Sequence, residues 1–138
     1  MPSPETLKWY GESVKKVTLA AVMKGMDETM AECVAETKSN TPVDTATLQG
    51  SIQMRPAAIV GSVAVGLWGS FDVRYALVVE EGSPPHLIRP RNKQALFWPG
   101  AAHPVKVVHH PGTKAHHMFV NAAEKIYPGL VSNIRNNI

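Results

Sequence analysis

The sequence predicts an α+β chain: a long helix at the N-terminal end and a C-terminal helix, packed on one face of a small, mainly antiparallel sheet. Three observations carry this expectation. From about Glu5 to Ser39 there is no internal proline, and Ala, Met, Lys and Glu, all favourable in helices, dominate. Most of the eleven prolines and ten glycines fall after Thr41, where they punctuate short β-prone runs. Near the C-terminal end, apolar residues return at spacings of three and four, the mark of an amphipathic helix.

At 138 residues, 44% hydrophobic and 18% charged, the chain fits a single domain, 1–138, around one core. The first helix is expected over about 5–39, ended by Asn40-Thr41-Pro42. Leu19, Val22, Met26, Met30, Cys33 and Val34 fall on one stripe at helical spacing, expected to face the core, with Lys24, Glu28 and Glu32 opposite. Val14, Val17 and Ala21 project on nearly the other side, while Glu12 and Lys15 lie in line with the later stripe. A helix of this size is about 45 to 50 Å long, more than so small a domain covers. Its N-terminal half is therefore expected to reach out, with Val14, Val17 and Ala21 as an inter-subunit face.

Downstream, Ser51–Ala58 and Val63–Trp68 read as strands joined by a turn at Val60-Gly61-Ser62. The stretch Asp72–Glu80 suits a strand or a short helix starting at Asp72, and the helix is preferred. An extended loop or long hairpin is expected over 82–104, then a strand at Val105–His109. A last helix is expected over about 115–136, carrying Phe119, Ala123, Ile126, Leu130 and Ile134 and kinked or split at Pro128-Gly129.

The formal charge of +3 is too mild to mark a dedicated nucleic-acid binder. The single cysteine, Cys33, excludes an intrachain disulfide and suits folding in a reducing cytoplasm. The N-terminal residues lack the apolar core of a signal peptide, and no apolar run approaches the roughly 20 residues that cross a bilayer. A soluble protein with no membrane partner is expected.

Catalytic patterns are missing. His103, His109, His110, His116 and His117 lie within fifteen positions, but they match no H-E-x-x-H spacing and have no cysteine nearby. No serine sits in a G-x-S-x-G elbow, and the glycines of Val60–Gly69 do not precede a helix as a phosphate loop would. Neither an enzyme nor a cofactor is expected. Arg89, Arg91, Lys93 and Lys106 supply a basic loop that could meet DNA, and Trp68 and Trp98 read as core or interface aromatics.

Several short pieces recur in a fixed order. Asn40–Ile52 reads NTPVDTATLQGSI, in which Pro42 ends a helix, Val43 tucks inward, Asp44 or Thr45 caps a short helix, and Leu48 and Ile52 share a face. Tyr75-Ala76 and Val79-Glu80-Glu81-Gly82-Ser83 follow, then Ile88-Arg89-Pro90, Ala95–Trp98 and His110-Pro111-Gly112-Thr113, with Phe119 last. Over roughly Ser39–Ala123 this order resembles the phage tail-completion family, also described as head-tail joining or neck proteins. The matching positions are Pro42, Val43, Asp44, Thr45, Leu48, Ser51 and Ile52, then Tyr75, Ala76, Val79, Glu80 and Gly82, then Pro111, Gly112 and Thr113. Ala46 stands where the family has glycine, which argues against a left-handed backbone there. Glu81 replaces an aromatic.

The resemblance implies a structural virion protein, assembled in the host cytoplasm into a homo-oligomeric ring, sixfold in kind, at the head-tail junction. Its neighbours would be head-completion or connector proteins and tail-terminator or tail-tube proteins, with DNA passing through the channel. Glu80, Arg89, Arg91, Lys93 and Trp98 become candidate contacts between subunits or with the adjoining ring. A tail terminator or head-completion ring is the near alternative. A small metal- or nucleic-acid-binding protein using the histidines and the basic loop is the alternative of another class.

Overall fold

The computed structural model describes residues 9–43 and 46–138. Helix α1 is Gly11–Asn40, so its expected first turn, 5–8, lies outside the described residues. It is followed by a short helix α2, Thr47–Ser51, and a hairpin of β1, Ile52–Val60, and β2, Val63–Ser70. Helix α3, Ala76–Glu81, leads into a second hairpin made by β3, His86–Ile88, and β4, Val108–His110. Helix α4, Met118–Ile126, is separated by a single 3-10 turn at Tyr127–Gly129 from helix α5, Leu130–Arg135. The expected α+β class is what forms.

Helix α1 organises the molecule because it is buried along two strips at once. Ala21, Gly25, Thr29, Cys33 and Thr37 recur every fourth residue and are all buried, with Thr41 continuing the row just beyond the helix. Such small residues let a second helix come close: a Cβ on Gly25 would sit 2.6 Å from the Ile134 Cα of α5. The buried threonines satisfy their own hydroxyls by donating back to the carbonyl four residues earlier, Thr29 to Gly25, Thr37 to Cys33 and Thr41 to Thr37, at 2.8, 2.7 and 2.6 Å. Methyl groups are thus left to face α4 and α5 at no hydrogen-bonding cost. The second strip, Met26 and Met30, lies on β2, where a Cβ on Gly66 would come within 2.5 Å of the Met30 sulfur.

This arrangement corrects the expected stripe. Met30 and Cys33 are buried, but Leu19 is exposed and Val22, Met26 and Val34 are half-buried. Glu28 and Glu32 do not face away from the packing, since they accept hydrogen bonds from Asn137 and Asn133 at 2.9 and 3.1 Å. Ala21, expected on an inter-subunit face, is buried within the chain at 2% exposure, whereas Val14 and Val17 are exposed. The reason is that small and hydroxyl-bearing residues, which a count of apolar side chains passes over, make the helix contact. Burial pushes the Cys33 thiol up to about 11, with the neighbouring Glu32 charge adding to the shift.

One ion pair ties α4 to α1, Lys125 Nζ to Glu36 Oε1 at 2.9 Å. The Lys125 hydrogen bond and charge, helped by Asn40, hold the Glu36 carboxyl below its ordinary value of 4.5. The tie is therefore complete above that value and is lost as the pH falls below it.

Two separate two-stranded antiparallel ladders stand where one sheet was expected. The β1–β2 hairpin turns through Gly61, whose positive φ of 65° suits glycine. Its register slips between Arg55 and Ala58, because Pro56 has no N–H to give the ladder. The Ala57 N–H freed by this irregularity donates instead to Asp27 of α1 at 2.7 Å. One face of the hairpin packs on α1, and Val63, Val65 and Leu67 on the other face are exposed.

Helix α3 begins at Ala76, later than expected, after a positive φ of 65° at Asp72. Leu48, Ala76 and Met118 form a buried cluster with Val73, Val79 and Phe119 around it, so α2, α3 and the start of α4 meet there. Leu48 and Ile52, expected to share a face of the short helix, are both buried, but Ile52 already belongs to β1. Val43 is exposed instead of tucking inward; the buried residue of this turn is Thr41, whose hydroxyl reaches the Met118 sulfur at 3.5 Å. Asp44 and Thr45, the expected caps, lie outside the described residues. Ala46 takes a left-handed backbone, φ 61°, although it is not glycine; its carbonyl accepts the Gly50 N–H at 2.9 Å and so starts α2.

The last helix starts at Met118 and not near Ala115, since the preceding residues are used elsewhere: the His116 and His117 N–H groups donate to the Val79 and Glu80 carbonyls. The expected split at Pro128-Gly129 is present as the 3-10 turn.

Two glycines give a direct test of this packing. Replacing Gly25 with Leu forces side-chain atoms into the α5 backbone and is expected to cost about 1 to 3 kcal/mol. Nothing lies within 4 Å of the place a Cβ on Gly50 would take, so Gly50→Ala should be neutral or stabilise by up to about 1 kcal/mol through helix propensity. Urea unfolding of both variants measures the contrast, and equal effects would contradict the close helix crossing.

Candidate interaction surfaces

Besides the exposed face of β2, three surfaces stand out among the described residues, and each is positioned by a specific local device. The first is the N-terminal part of α1. Trp9, Tyr10, Val14 and Val17 are 84%, 62%, 61% and 55% exposed. At 100° per residue, Tyr10, Val14 and Val17 fall on the same side as Ala21. They continue the row that packs against α5, past the point where α5 gives cover.

The second is an arm, 83–113, that leaves the body at a narrow base. Ser83 and Thr113 exchange backbone hydrogen bonds at 2.9 and 3.0 Å. Gly82 and Gly112, with φ of 75° and 90°, sit pressed against that bridge: a Cβ on Gly82 would meet the Thr113 oxygen at 2.5 Å, and one on Gly112 would collide with the Ser83 oxygen. The HPGT turn and the glycine after Glu81 are therefore the two halves of one joint. Above it, β3 pairs with β4 and Leu96 pairs with Val105, so the arm is a short ladder topped by a long irregular loop, and the strand expected at Val105–His109 forms only over Val108–His110.

Arg89, Arg91 and Lys93 are exposed on the arm, and none forms an ion pair among the described residues. Phe97 and Trp98 stand beside them, 66% and 46% exposed. At the base of the ladder the His86 and His110 rings stack with centroids 4.8 Å apart. The Gly112 N–H donates to His110 Nδ1 at 3.0 Å, which fixes the proton on the other ring nitrogen. Among the described residues no three His, Cys, Asp or Glu side chains converge on a point that could hold a metal ion. The five histidines close in sequence are divided between the arm and the start of α4.

The third surface is an apolar groove of about 470 Å³ between β2, α3 and α4, lined by Trp68, Leu77, Glu80, Phe119, Val120 and Tyr127 among others. It continues along α4 past Ala123 and Glu124 to Pro128. Its floor is held by aromatic contacts: the Trp68 ring lies 5.7 Å from Phe119 and 6.4 Å from Tyr127, and its Nε1–H donates to the Tyr127 hydroxyl at 3.0 Å.

Glu80 belongs to this region in a way sequence reasoning missed. Expected to be exposed and to meet a neighbouring subunit, it is half-buried, and its carboxylate accepts the Phe119 and Val120 N–H groups at 2.9 and 3.0 Å. These are first-turn amides of α4, so Glu80 caps that helix from another element, in the place where a carboxylate also complements the helix dipole. The cap acts at a sequence separation of 39 and 40 residues, beyond the reach of a local capping pattern. His117, which precedes the helix, makes no side-chain cap of its own. Of the other expected positions, Leu48 lies in the core, Tyr75 is 47% exposed, and Pro42 and Pro111 are at the surface.

The cap and the joint make separate predictions. Glu80→Ala should lower stability by about 1 to 2 kcal/mol, while Glu81→Ala, at an exposed neighbour, should change it by less than about 0.5 kcal/mol. Gly112→Ala should strain the joint by about 1 to 3 kcal/mol and speed amide exchange in β3 and β4 more than in α1. Uniform exchange across both elements would contradict an arm attached through that joint.

With this geometry in hand, comparison with known proteins adds no relative: no family model matches the chain, and no curated protein and no solved structure matches it.

Proposed function

We propose that this chain is a non-catalytic structural subunit of a tailed-phage virion, forming an oligomeric ring at the head-tail junction. The observation that carries the proposal is the amount of ordered, apolar surface that the fold leaves bare. Val14 and Val17 on α1, Val63, Val65 and Leu67 on β2, Leu77 and Val120 around the groove, and Phe97 and Trp98 on the arm are all exposed. These residues form separate apolar patches on α1, β2, the groove and the arm, each a candidate binding face, and a two-stranded hairpin with free edges gains from pairing or cover. The ordered PVDT, YA and HPGT pieces, which resemble the tail-completion family, narrow the assembly to the neck.

The glycines of those pieces have a structural use that suits this role. Gly82 and Gly112 form the joint from which the arm leaves the body, and that arm is a candidate contact with an adjoining ring of connector, tail-terminator or tail-tube protein. Tail-terminator and head-completion rings remain the near alternatives, because the same surfaces would serve them. No helix among the described residues is long and apolar enough to cross a membrane.

Negative-stain imaging of the purified chain, with light scattering for mass, tests the ring. Closed rings of one symmetry are expected, and labelled subunits should sit at the neck of intact particles. Monomers at every concentration, or label found at the tail tip, would remove the proposal.

A second role rests on Arg89, Arg91 and Lys93, exposed and without ion pairs among the described residues. If they line the channel, DNA affinity should fall steeply with salt, with a log-log slope of about 0.9 per phosphate contacted. The Arg89→Ala/Arg91→Ala/Lys93→Ala variant should flatten that slope. No change in slope would assign the cations to protein contacts.

A further inference from the structure

We infer that the projecting first turns of α1 from one copy dock into the groove between β2, α3 and α4 of the next copy. The inference rests on the ring proposed above and says which two faces close it. The docking segment is built from Tyr10, Val14 and Val17, spaced i, i+4 and i+7, with Lys15 and Lys16 to either side and Glu12 behind.

Two observations select this occupant over a small molecule. The first is continuity. Tyr10, Val14 and Val17 extend the row on which α1 already receives a helix, through Ala21 and Gly25 onto α5. Over its first turns no described residue covers that face. The second is charge. The groove and its continuation along α4 include Glu80 and Glu124 and no Lys or Arg, while the concavity around Tyr10 and Val14 includes Lys15 and no carboxylate. The positive end of the α1 dipole adds to the match.

A small ligand would need converging polar groups to fix its orientation. The one ionic group deep in this groove, Glu80, already spends both carboxylate oxygens on the α4 amides. The Ser70 and Tyr127 hydroxyls are engaged with Ser51 and Trp68, the rest of the lining is mainly apolar, and a helix face with two or three apolar anchors fills such a groove at i, i+4 and i+7 spacing.

The two faces are different parts of the molecule, so the contact is head-to-tail. Such contacts propagate from copy to copy and close into a ring when the rotation between copies allows it. An α1-to-α1 pairing would instead be self-complementary and stop at a dimer.

Complementation between two defective variants of the full chain decides the matter. The donor variant is Val14→Asp/Val17→Asp, and the acceptor variant is Leu77→Arg/Glu124→Arg; all four side chains are exposed, and circular dichroism checks that both fold. Each variant alone should self-associate more weakly than wild type by about tenfold or more. Mixed in equal amounts they retain one intact donor and one intact acceptor, so light scattering should find a 1:1 dimer and nothing larger. Full-size oligomers from either variant, or no association in the mixture, would overturn the inference while leaving the ring itself in place. A wild-type chain that is monomeric at every concentration would overturn both. As a second measurement, Lys15→Glu/Lys16→Glu should weaken association and Glu124→Lys on the partner should restore it; failure to restore would count against the charge match.

Discussion

The close approach of α5 to α1 is the constraint on which the rest of the structure depends. Gly25 lets the Ile134 backbone in, and the every-fourth-residue row of Ala21, Thr29, Cys33 and Thr37 extends that low surface along the helix. With α4 and α5 lying low on one side, Met26 and Met30 are free to pack on β2 from the other, and Asp27 between them is in place to receive the Ala57 N–H. A larger residue at 25 would lift α5 and disturb the Asn133 and Asn137 hydrogen bonds to Thr29, Glu32 and Glu28 as well. Packing that is sensitive to single methylenes thus fixes the position of two helices and a hairpin through one glycine.

Much of this was legible in the sequence, and each miss has a physical cause. The long helix, the hairpin at Gly61, the short helix before Gly82 and the break at Pro128 all follow from propensity and turn chemistry, which act locally. The core-facing row of α1 did not, because threonine and glycine count as polar or neutral until their hydroxyls are seen bonded to the carbonyl one turn back. The regular spacing of 21, 25, 29, 33, 37 and 41 was the available signal. Glu80 was misplaced for a different reason: a cap supplied from 39 residues away leaves no local pattern to read. Ala46 shows the limit of reasoning from residue type, since a left-handed backbone is held there by the start of α2 despite its cost to a residue with a Cβ.

The joint at Ser83 and Thr113 explains how so little contact can hold an arm in a defined direction. Two backbone hydrogen bonds alone would leave a hinge. Gly82 and Gly112 bring the two chains close enough that each α-carbon lies against the other strand, and the His116 and His117 amides are fastened to the end of α3 immediately beyond. The Glu80 carboxylate then anchors α4 to the same α3 end. One short helix of six residues therefore sets the direction of both the arm and the C-terminal helices. Loosening it would move two elements together.

That coupling bears on assembly. A ring subunit must hold its donor and acceptor faces at a fixed angle, since a few degrees of error per copy accumulate around the circle and leave it open. In the proposed ring the donor face would lie on α1 and the acceptor face would be framed by β2, α3 and α4. The two are connected by rigid contacts at every step: α1 to α5 through Gly25, α5 to α4 through a single 3-10 turn, and α4 to α3 through Glu80. The angle between them is set by packed helices and a cap and by no flexible linker, so the chain's internal close packing is what would make a head-to-tail contact close on itself. In the proposed ring, stability and assembly geometry would rest on the same residues, because the α1–α5 crossing at Gly25 would hold both the helix packing and the angle between the two faces.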